Sequence, residues 1–240
     1  MATRAARGFG QYGGVARTLE RVGERWALLI VRDLLVGPRR YSDLKAGLPR
    51  IPTNILSDRL KELQEAGVIR RVPTVRGGYE LTAPGRDLEP VIVALERWGW
   101  SLLGEPAEGE QLTREALATA LRAAFRADAA AGAPPTEYVL HVGEASVVVE
   151  VVGATFDVVP IGPGALPQPR RSGPEPGFEA TCEFALEPAE FAELLAGRSD
   201  AAGVQLLAGD LESVERFRRT FRIDPVEPHG GTGAPAASVA

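Results

Sequence analysis

The 240-residue sequence predicts an α+β protein built from two domains, and three observations support this. Over most of the first 103 residues, apolar side chains recur three and four positions apart, which is the spacing of amphipathic helices. From residue 137 onward they alternate with polar side chains in short runs, which is the spacing of half-buried strands. Between these regions, residues 104–111 are polar and contain Gly and Pro, as expected of a linker.

The predicted organisation of the chain follows from these patterns. It comprises a flexible arm over 1–14, a first domain over 15–103, the linker over 104–111, a second domain over 112–223 and a disordered tail over 224–240. A Pro- and Gly-rich stretch over 160–176 predicts a mobile loop within the second domain. We expect a helix over about 113–131, then four strands over 137–142, 146–152, 155–161 and 178–186 in an antiparallel sheet, and two final helices with a strand between them.

Charge is divided unevenly between the two halves. The whole chain carries a formal charge of −5, but residues 1–103 contain 17 Arg and Lys against 11 Asp and Glu, and the remainder contains 10 against 21. A polyanion needs a local basic surface, so the N-terminal half is the candidate for binding one. No apolar run is long enough for a membrane span, and the N-terminus lacks the core of a signal peptide. The single cysteine, Cys182, excludes an intramolecular disulfide, and we expect a cytoplasmic protein.

The N-terminal domain is predicted to contain five helices and one hairpin. An apolar face runs over 15–36, is divided into two helices at Gly23 and ends at Gly37-Pro38. A short helix over 41–46 and a longer one over 53–66 follow. Two alternating runs over 68–72 and 79–81 predict a hairpin, and a last amphipathic helix is expected over 84–103. This order of elements is that of a winged helix-turn-helix.

The helix over 53–66 is the candidate for reading DNA, because it combines an apolar inner face with short hydrogen-bonding and basic side chains on its outer face. A solvated helix face is the plainer alternative. The outward candidates are Thr53, Asn54, Ser57, Asp58, Arg59 and Lys61. Arginines in or near the hairpin and the helix pair are candidates for gripping phosphate. They are Arg39, Arg40, Arg50, Arg70, Arg71 and Arg76.

Several motifs in a fixed order resemble those of the HxlR-type transcriptional regulators, which are related to the MarR-type proteins. They are Gly23-Glu-Arg-Trp26, Arg32-Asp-Leu-Leu35, Gly37-Pro-Arg-Arg-Tyr-Ser-Asp-Leu44, Leu56-Ser-Asp-Arg-Leu-Lys-Glu-Leu63, Glu65-Ala-Gly-Val68 and Tyr79-Glu-Leu-Thr82. The resemblance implies a homodimer that binds a pseudo-palindromic operator in double-stranded DNA through two copies of the 53–66 helix. It further implies a dimer interface formed by the first and last helices of the domain. The residues expected there are Val15, Leu19, Val22, Leu88, Val91, Ile92, Leu95, Trp98 and Leu102.

Two positions depart from the pattern of that family. Some family members sense oxidants through a cysteine of a Cys-Pro pair before the first helix, but this chain has Gly13-Gly14 there. A redox switch at that site is therefore excluded. Pro52 replaces a serine that often opens the reading helix. Proline suits the first turn of a helix, so the helix should form with one hydroxyl contact fewer.

The C-terminal half resembles the sterol-carrier-protein type 2 domain, through Leu186-Glu-Pro-Ala-Glu-Phe-Ala-Glu-Leu-Leu195 and Ala208-Gly-Asp-Leu211. The resemblance implies an apolar tunnel for a small hydrophobic ligand. For each candidate residue, a place in the packed core is the plainer alternative. The candidates are Leu140, Val142, Val147, Val149, Phe156, Val158, Phe184, Phe191, Leu194 and Leu206.

Catalysis is not expected from this sequence. The two histidines are too few for a metal cluster, and no phosphate-binding or nucleophile motif occurs, so we expect no catalytic residue, metal or cofactor. The first hypothesis is a sequence-specific regulator that responds to a hydrophobic effector. The alternatives are a carrier of hydrophobic metabolites and a constitutive regulator whose C-terminal domain only supports dimerisation.

Overall fold

The structure is a computed structural model that describes residues 8–72, 78–104, 106–162, 180–199 and 204–224. The N-terminal half contains α1 (Gly14–Val22), α2 (Ala27–Leu35), β1 (Arg39–Arg40), α3 (Tyr41–Gly47), α4 (Thr53–Glu65), β2 (Ile69–Val72), β3 (Gly78–Leu81), α5 (Ala83–Arg86) and α6 (Glu89–Trp100). The C-terminal half contains α7 (Arg114–Ala124), α8 (Ala127–Ala130), β4 (Thr136–Val142), β5 (Ala145–Val152), β6 (Thr155–Ile161), β7 (Ala180–Leu186), α9 (Pro188–Leu195), β8 (Gln205–Ala208) and α10 (Leu211–Thr220).

The N-terminal half is a winged helix-turn-helix, as predicted. Helices α2, α3 and α4 enclose a core in which Ile30, Leu44 and Leu60 are buried. Helix α4 ends where Gly67 adopts a φ of 72°, a conformation that costs glycine little. The hairpin strands β2 and β3 pair antiparallel, and β1 joins the free edge of β3.

Three details of this half and its neighbour differ from the predictions. The sequence pattern did not predict β1. The expected helix over 84–103 is divided into α5 and α6, because Pro90 has no backbone N–H to continue a helical ladder. The expected helix over 113–131 is divided at Phe125, whose extended backbone turns its ring onto Phe156, 4.3 Å away between centroids.

The C-terminal half is a five-stranded sheet in the order β6-β5-β4-β7-β8 with helices on its inner face. Four neighbouring strands were expected to pair antiparallel, but β4 and β7 pair in parallel. The chain therefore crosses from the β6 edge to the other side of β4. Helices α7, α9 and α10 contribute to the core on the inner face, where Phe217 stacks on Phe221 at 4.6 Å.

The two halves pack directly on each other. Helix α7 lies against α6 and α2, and Trp100 of the N-terminal half meets Phe191 edge to face at 6.3 Å. Arg97 donates a hydrogen bond of 2.8 Å to the Ala123 carbonyl. The two domains are thus joined by a packed contact as well as by the linker. Among the helices that the structure describes, none combines the length and hydropathy needed to cross a membrane.

Candidate nucleic-acid interface

Helix α4 presents a polar face to solvent and an apolar face to the core. Leu56, Leu60 and Leu63 are buried inside the domain at 1% exposure or less. Burial of these three side chains fixes the rotation of the helix about its axis. Five of the six predicted outward residues are consequently exposed, and they occupy the first turns of the helix. These five are Thr53, Asn54, Ser57, Asp58 and Lys61.

The first turn of α4 is held by the start of α3. The Tyr41 hydroxyl donates to the Thr53 carbonyl at 2.9 Å and lies 3.3 Å from the Ser57 hydroxyl. Pro52 occupies the N-cap with an extended backbone and offers no side-chain cap. Among the described residues, the side chains of Thr53 and Asn54 have no hydrogen-bond partner. Both are therefore available to base edges.

The wing carries exposed arginines beside this helix. Arg70 is 68% exposed and pairs with Glu80 at 2.7 Å, whereas Arg71 lies over the Tyr79 ring. An exposed ion pair such as Arg70–Glu80 contributes little, so the Arg70 guanidinium can exchange its partner for phosphate. Arg40 and Arg50 are exposed as well. The sixth candidate, Arg76, lies outside the described residues.

Two of the predicted DNA contacts are corrected by the structure. Arg39 is only 3% exposed, and its guanidinium meets Glu115 of α7 at 3.1 Å. Arg59 is mostly buried and pairs with Glu62 of the next turn and, at 3.6 Å, with Glu24. Both guanidinium groups are committed to carboxylates inside the chain, so neither is placed to grip phosphate.

The predicted dimer residues divide into two groups. Six are exposed on α1, α6 and the residues just after α6, which is unusual for large apolar side chains. They are Val15, Leu19, Val91, Leu95, Trp98 and Leu102. The prediction is wrong for Val22 and Ile92, because both side chains are buried in the core of their own domain. Leu88 packs against the same core. Leu29 and Leu103 are exposed too and were not predicted.

The predicted ligand-lining residues form a packed core in the part of the chain that the structure describes. Eight of the ten are 2% exposed or less, and Phe156 and Leu206 pack against them. The described residues form surface clefts of about 230 to 640 Å³, and Val142 lines one of these, together with Gly143 and Glu115. At these residues the described structure shows a packed interior, and the ligand tunnel stays a prediction.

A buried charge cluster was missed by sequence reasoning. Asp33 of α2, Arg39 of β1 and Glu115 of α7 are each less than 5% exposed and lie where the two halves meet. Burial raises the pKa of the Asp33 carboxyl to about 6, the nearby Arg32 opposes the rise, and Glu115 adds to it. The sequence signal was a charged residue, Asp33, among the apolar residues of a helix.

A second polar group lies on the outer face of the C-terminal sheet. The His141 ring contacts the Ser146 hydroxyl at 2.8 Å through Nδ1 and the Glu183 carboxylate at 2.9 Å through Nε2. A nucleophilic serine would need backbone N–H groups to receive an oxyanion. Ser146 lies in β5, which is paired on both sides by β4 and β6, so the backbone amides around it serve the sheet.

The remaining candidates for chemistry are few. Burial raises the pKa of the Cys182 thiol to about 11, so this thiol is protonated at neutral pH. Within the described ranges, no group of three or more His, Cys, Asp or Glu side chains is placed to hold a metal ion.

Comparison with known proteins identifies the N-terminal half. The model of the HxlR-like helix-turn-helix family matches residues 21–106, which span most of the winged helix-turn-helix. The HTH-type transcriptional regulator Rv3095 of Mycobacterium tuberculosis, described as uncharacterized, is 47% identical over 96 residues, which are 38% of this chain and 60% of that protein. The chain thus spans about 60% of the length of this relative. YvaP of Bacillus subtilis, described in the same words, is 38% identical over 86 residues, 34% of this chain and 80% of that protein.

Solved structures also match about two fifths of the chain. The redox regulator HypR in its reduced form is 29% identical and covers 37% of this chain and 92% of its own, with a TM-score of 0.35. The reduced form of the transcriptional regulator YodB from B. subtilis is 27% identical and covers 41% of this chain and all of its own, with a TM-score of 0.34. The resemblance to a sterol carrier protein stays a prediction, because the family model ends at residue 106. With four-fifths of YvaP covered at 38% identity, this chain belongs to the HxlR-like helix-turn-helix family.

Proposed function

We propose that this protein is a sequence-specific DNA-binding transcriptional regulator without enzymatic activity. The observation that carries the proposal is the outer face of α4, where five polar side chains are exposed in the first turns beside a wing with exposed arginines. A helix with this distribution can insert its N-terminal turns into a major groove while the wing contacts phosphate.

The proposed active form is a homodimer. The six exposed apolar residues of α1, α6 and the segment just after α6 would pack against a second copy and so remove their surface from water. Two copies of α4 related by a two-fold axis would read a pseudo-palindromic site with half-sites about one helical turn apart.

Regulation by a hydrophobic effector belongs to the same proposal, but the packing of the C-terminal core restricts how such a ligand could bind. The candidate pocket residues already touch one another, so a ligand would have to open the core of the C-terminal domain. If small hydrophobic compounds leave the melting temperature unchanged, the constitutive alternative is favoured.

The test is selection of binding sites from a random duplex library with the full chain. We expect enrichment of a sequence with two-fold symmetry, and an affinity that falls steeply between low and physiological salt because phosphate contacts release counterions. Enrichment of no sequence, together with salt-independent binding, would overturn the proposal.

A further inference from the structure

We infer that Glu115 and Arg39 are positioning residues for DNA reading, through which the C-terminal domain holds the wing and helix α4 in their working arrangement. This inference rests on the proposed function. It starts from a buried ion pair between the two halves: Arg39 Nη2 lies 3.1 Å from Glu115 Oε1, and both side chains are 5% exposed or less.

Strand β1 links this pair to the wing. Arg39 belongs to β1 and lies opposite Tyr79 of β3, the central strand of the wing sheet. Tyr79 in turn lies opposite Arg71 of β2 and carries its guanidinium over the ring, 5.5 Å from the ring centroid. Glu115 therefore holds β1, which is the edge strand of the sheet that presents the wing arginines.

The same pair is linked to the reading helix. Helix α3 begins at Tyr41, two residues after Arg39, and the Tyr41 hydroxyl donates to the Thr53 carbonyl at the start of α4. A shift of β1 would therefore move the wing and the first turn of α4 together. Coupling between sites travels through contiguous contacts of this kind.

The C-terminal domain holds Glu115 in place. Glu115 lies in the first turn of α7, an eleven-residue helix whose buried face belongs to the C-terminal core. Arg114 also meets Glu115, at 3.2 Å, which fixes the carboxylate from its own helix. On the other side, a Cβ atom on Gly47 of α3 would lie 2.8 Å from Asp33 Oδ2 and 3.7 Å from Glu115 Oε2, so the charges fit closely around this glycine.

A buried ion pair is a weak source of stability but can specify one arrangement of the elements that it joins. Either charge left alone in this interior would be costly, so the pair favours the arrangement in which both are present. Loss of one partner should therefore lower the stability of the fold and also displace β1, and with it the wing and the first turn of α4.

The test compares Glu115→Gln with the matched control Glu89→Gln. Glu89 of α6 pairs with Arg122 of α7 at 3.2 Å, so the control also removes one negative charge from an ion pair between the two halves, but without contacting β1. Both proteins are titrated with a duplex enriched by the wild-type chain and with a scrambled duplex. Because each variant loses a negative charge, simple electrostatics predicts slightly tighter binding to both duplexes.

We expect Glu115→Gln to lower the preference for the enriched duplex about tenfold, the scale of one lost base contact. Glu89→Gln should leave that preference within about twofold, as expected when no base contact changes. In a hydroxyl-radical footprint, Glu115→Gln should lose protection on the flank covered by the wing.

Equal preferences for the two variants would overturn the inference. If Glu115→Gln does not fold, Arg39→Lys keeps the charge, shortens the reach of the donor and should show the same loss. Failure of the wild type to enrich any sequence would overturn the proposed function instead.

Discussion

At the scale of single residues, the buried carboxylate of Asp33 has one oxygen that accepts a hydrogen bond and one that does not. Its Oδ1 accepts a hydrogen bond of 2.7 Å from Arg32, whereas Oδ2 has no hydrogen-bond partner among the described residues. A buried charge with an unfilled lone pair favours its protonated form. Burial accordingly raises the pKa of Asp33 to about 6, from the 3.8 of an unburied aspartate.

This pKa predicts how stability depends on pH. Because the folded state binds the proton more tightly, the contribution of Asp33 to the free energy of unfolding is full below about pH 4 and is lost as pH rises through about 6. The loss amounts to about 3 kcal/mol at most. Asp33→Asn cannot ionise, so its stability relative to wild type should increase from about pH 4 to pH 7. Urea denaturation of both proteins across that range measures the difference, and parallel curves would contradict the prediction.

Asn54 is the residue on α4 whose removal should most directly affect base reading. Its side chain is exposed in the first turn and free of intramolecular partners in the described ranges. Asn54→Ala should cost about 1–3 kcal/mol of binding to the enriched duplex and relax the preference at one base position. Gln64→Ala, on the last turn of the same helix, is the control and should bind normally. An unchanged binding profile for Asn54→Ala would remove this residue from the interface.

At the scale of elements, α4 and the wing differ in what they contribute to binding. The first turn of the helix offers the uncharged hydrogen-bonding groups of Thr53 and Asn54, whereas β2 offers Arg70 and Arg71. Base contacts carry sequence preference, and phosphate contacts carry affinity that depends on salt. The two elements should therefore respond differently to substitution.

The wing arginines can be tested by the salt dependence of binding. Replacing both Arg70 and Arg71 by Gln should lower the slope of log affinity against log salt by about 0.9 for each lost phosphate contact. Preference between enriched and scrambled duplexes should change little. Arg198→Gln provides a matched control, because Arg198 is an exposed arginine paired with Glu193 at 2.7 Å in the C-terminal domain. A slope equal to that of the control would place the wing away from the DNA.

At the scale of the whole molecule, we expect the exposed apolar residues of α1 and α6 to pack against a second copy of the chain. Trp98 is 59% exposed although its ring is among the largest apolar side chains in the chain. If two copies meet through this face, Trp98→Glu places a carboxylate in the interface and should shift the protein toward monomer. Analytical ultracentrifugation measures the shift. Val159→Glu, on an exposed position of β6, is the control. A dimer that survives Trp98→Glu would exclude this face as the interface.

The sequence pattern was sufficient for the elements that follow a simple period. The spacing of Leu56, Leu60 and Leu63 determined both the extent of α4 and the face that it buries, because a helix repeats every 3.6 residues wherever it lies. The alternation in β4 and β5 determined their inward faces in the same way. The motifs around them identified the N-terminal family.

Only the tertiary structure decided what the charged and apolar residues touch. Arg39 and Arg70 are alike in sequence, yet one is buried against Glu115 and the other is exposed on β2. Residues 76 positions apart meet there because α7 packs against α2 and α6, a contact that no local period encodes. The pairing of β4 with β7 and the filled C-terminal core were likewise decided by long-range packing, in which side chains compete for one shared interior.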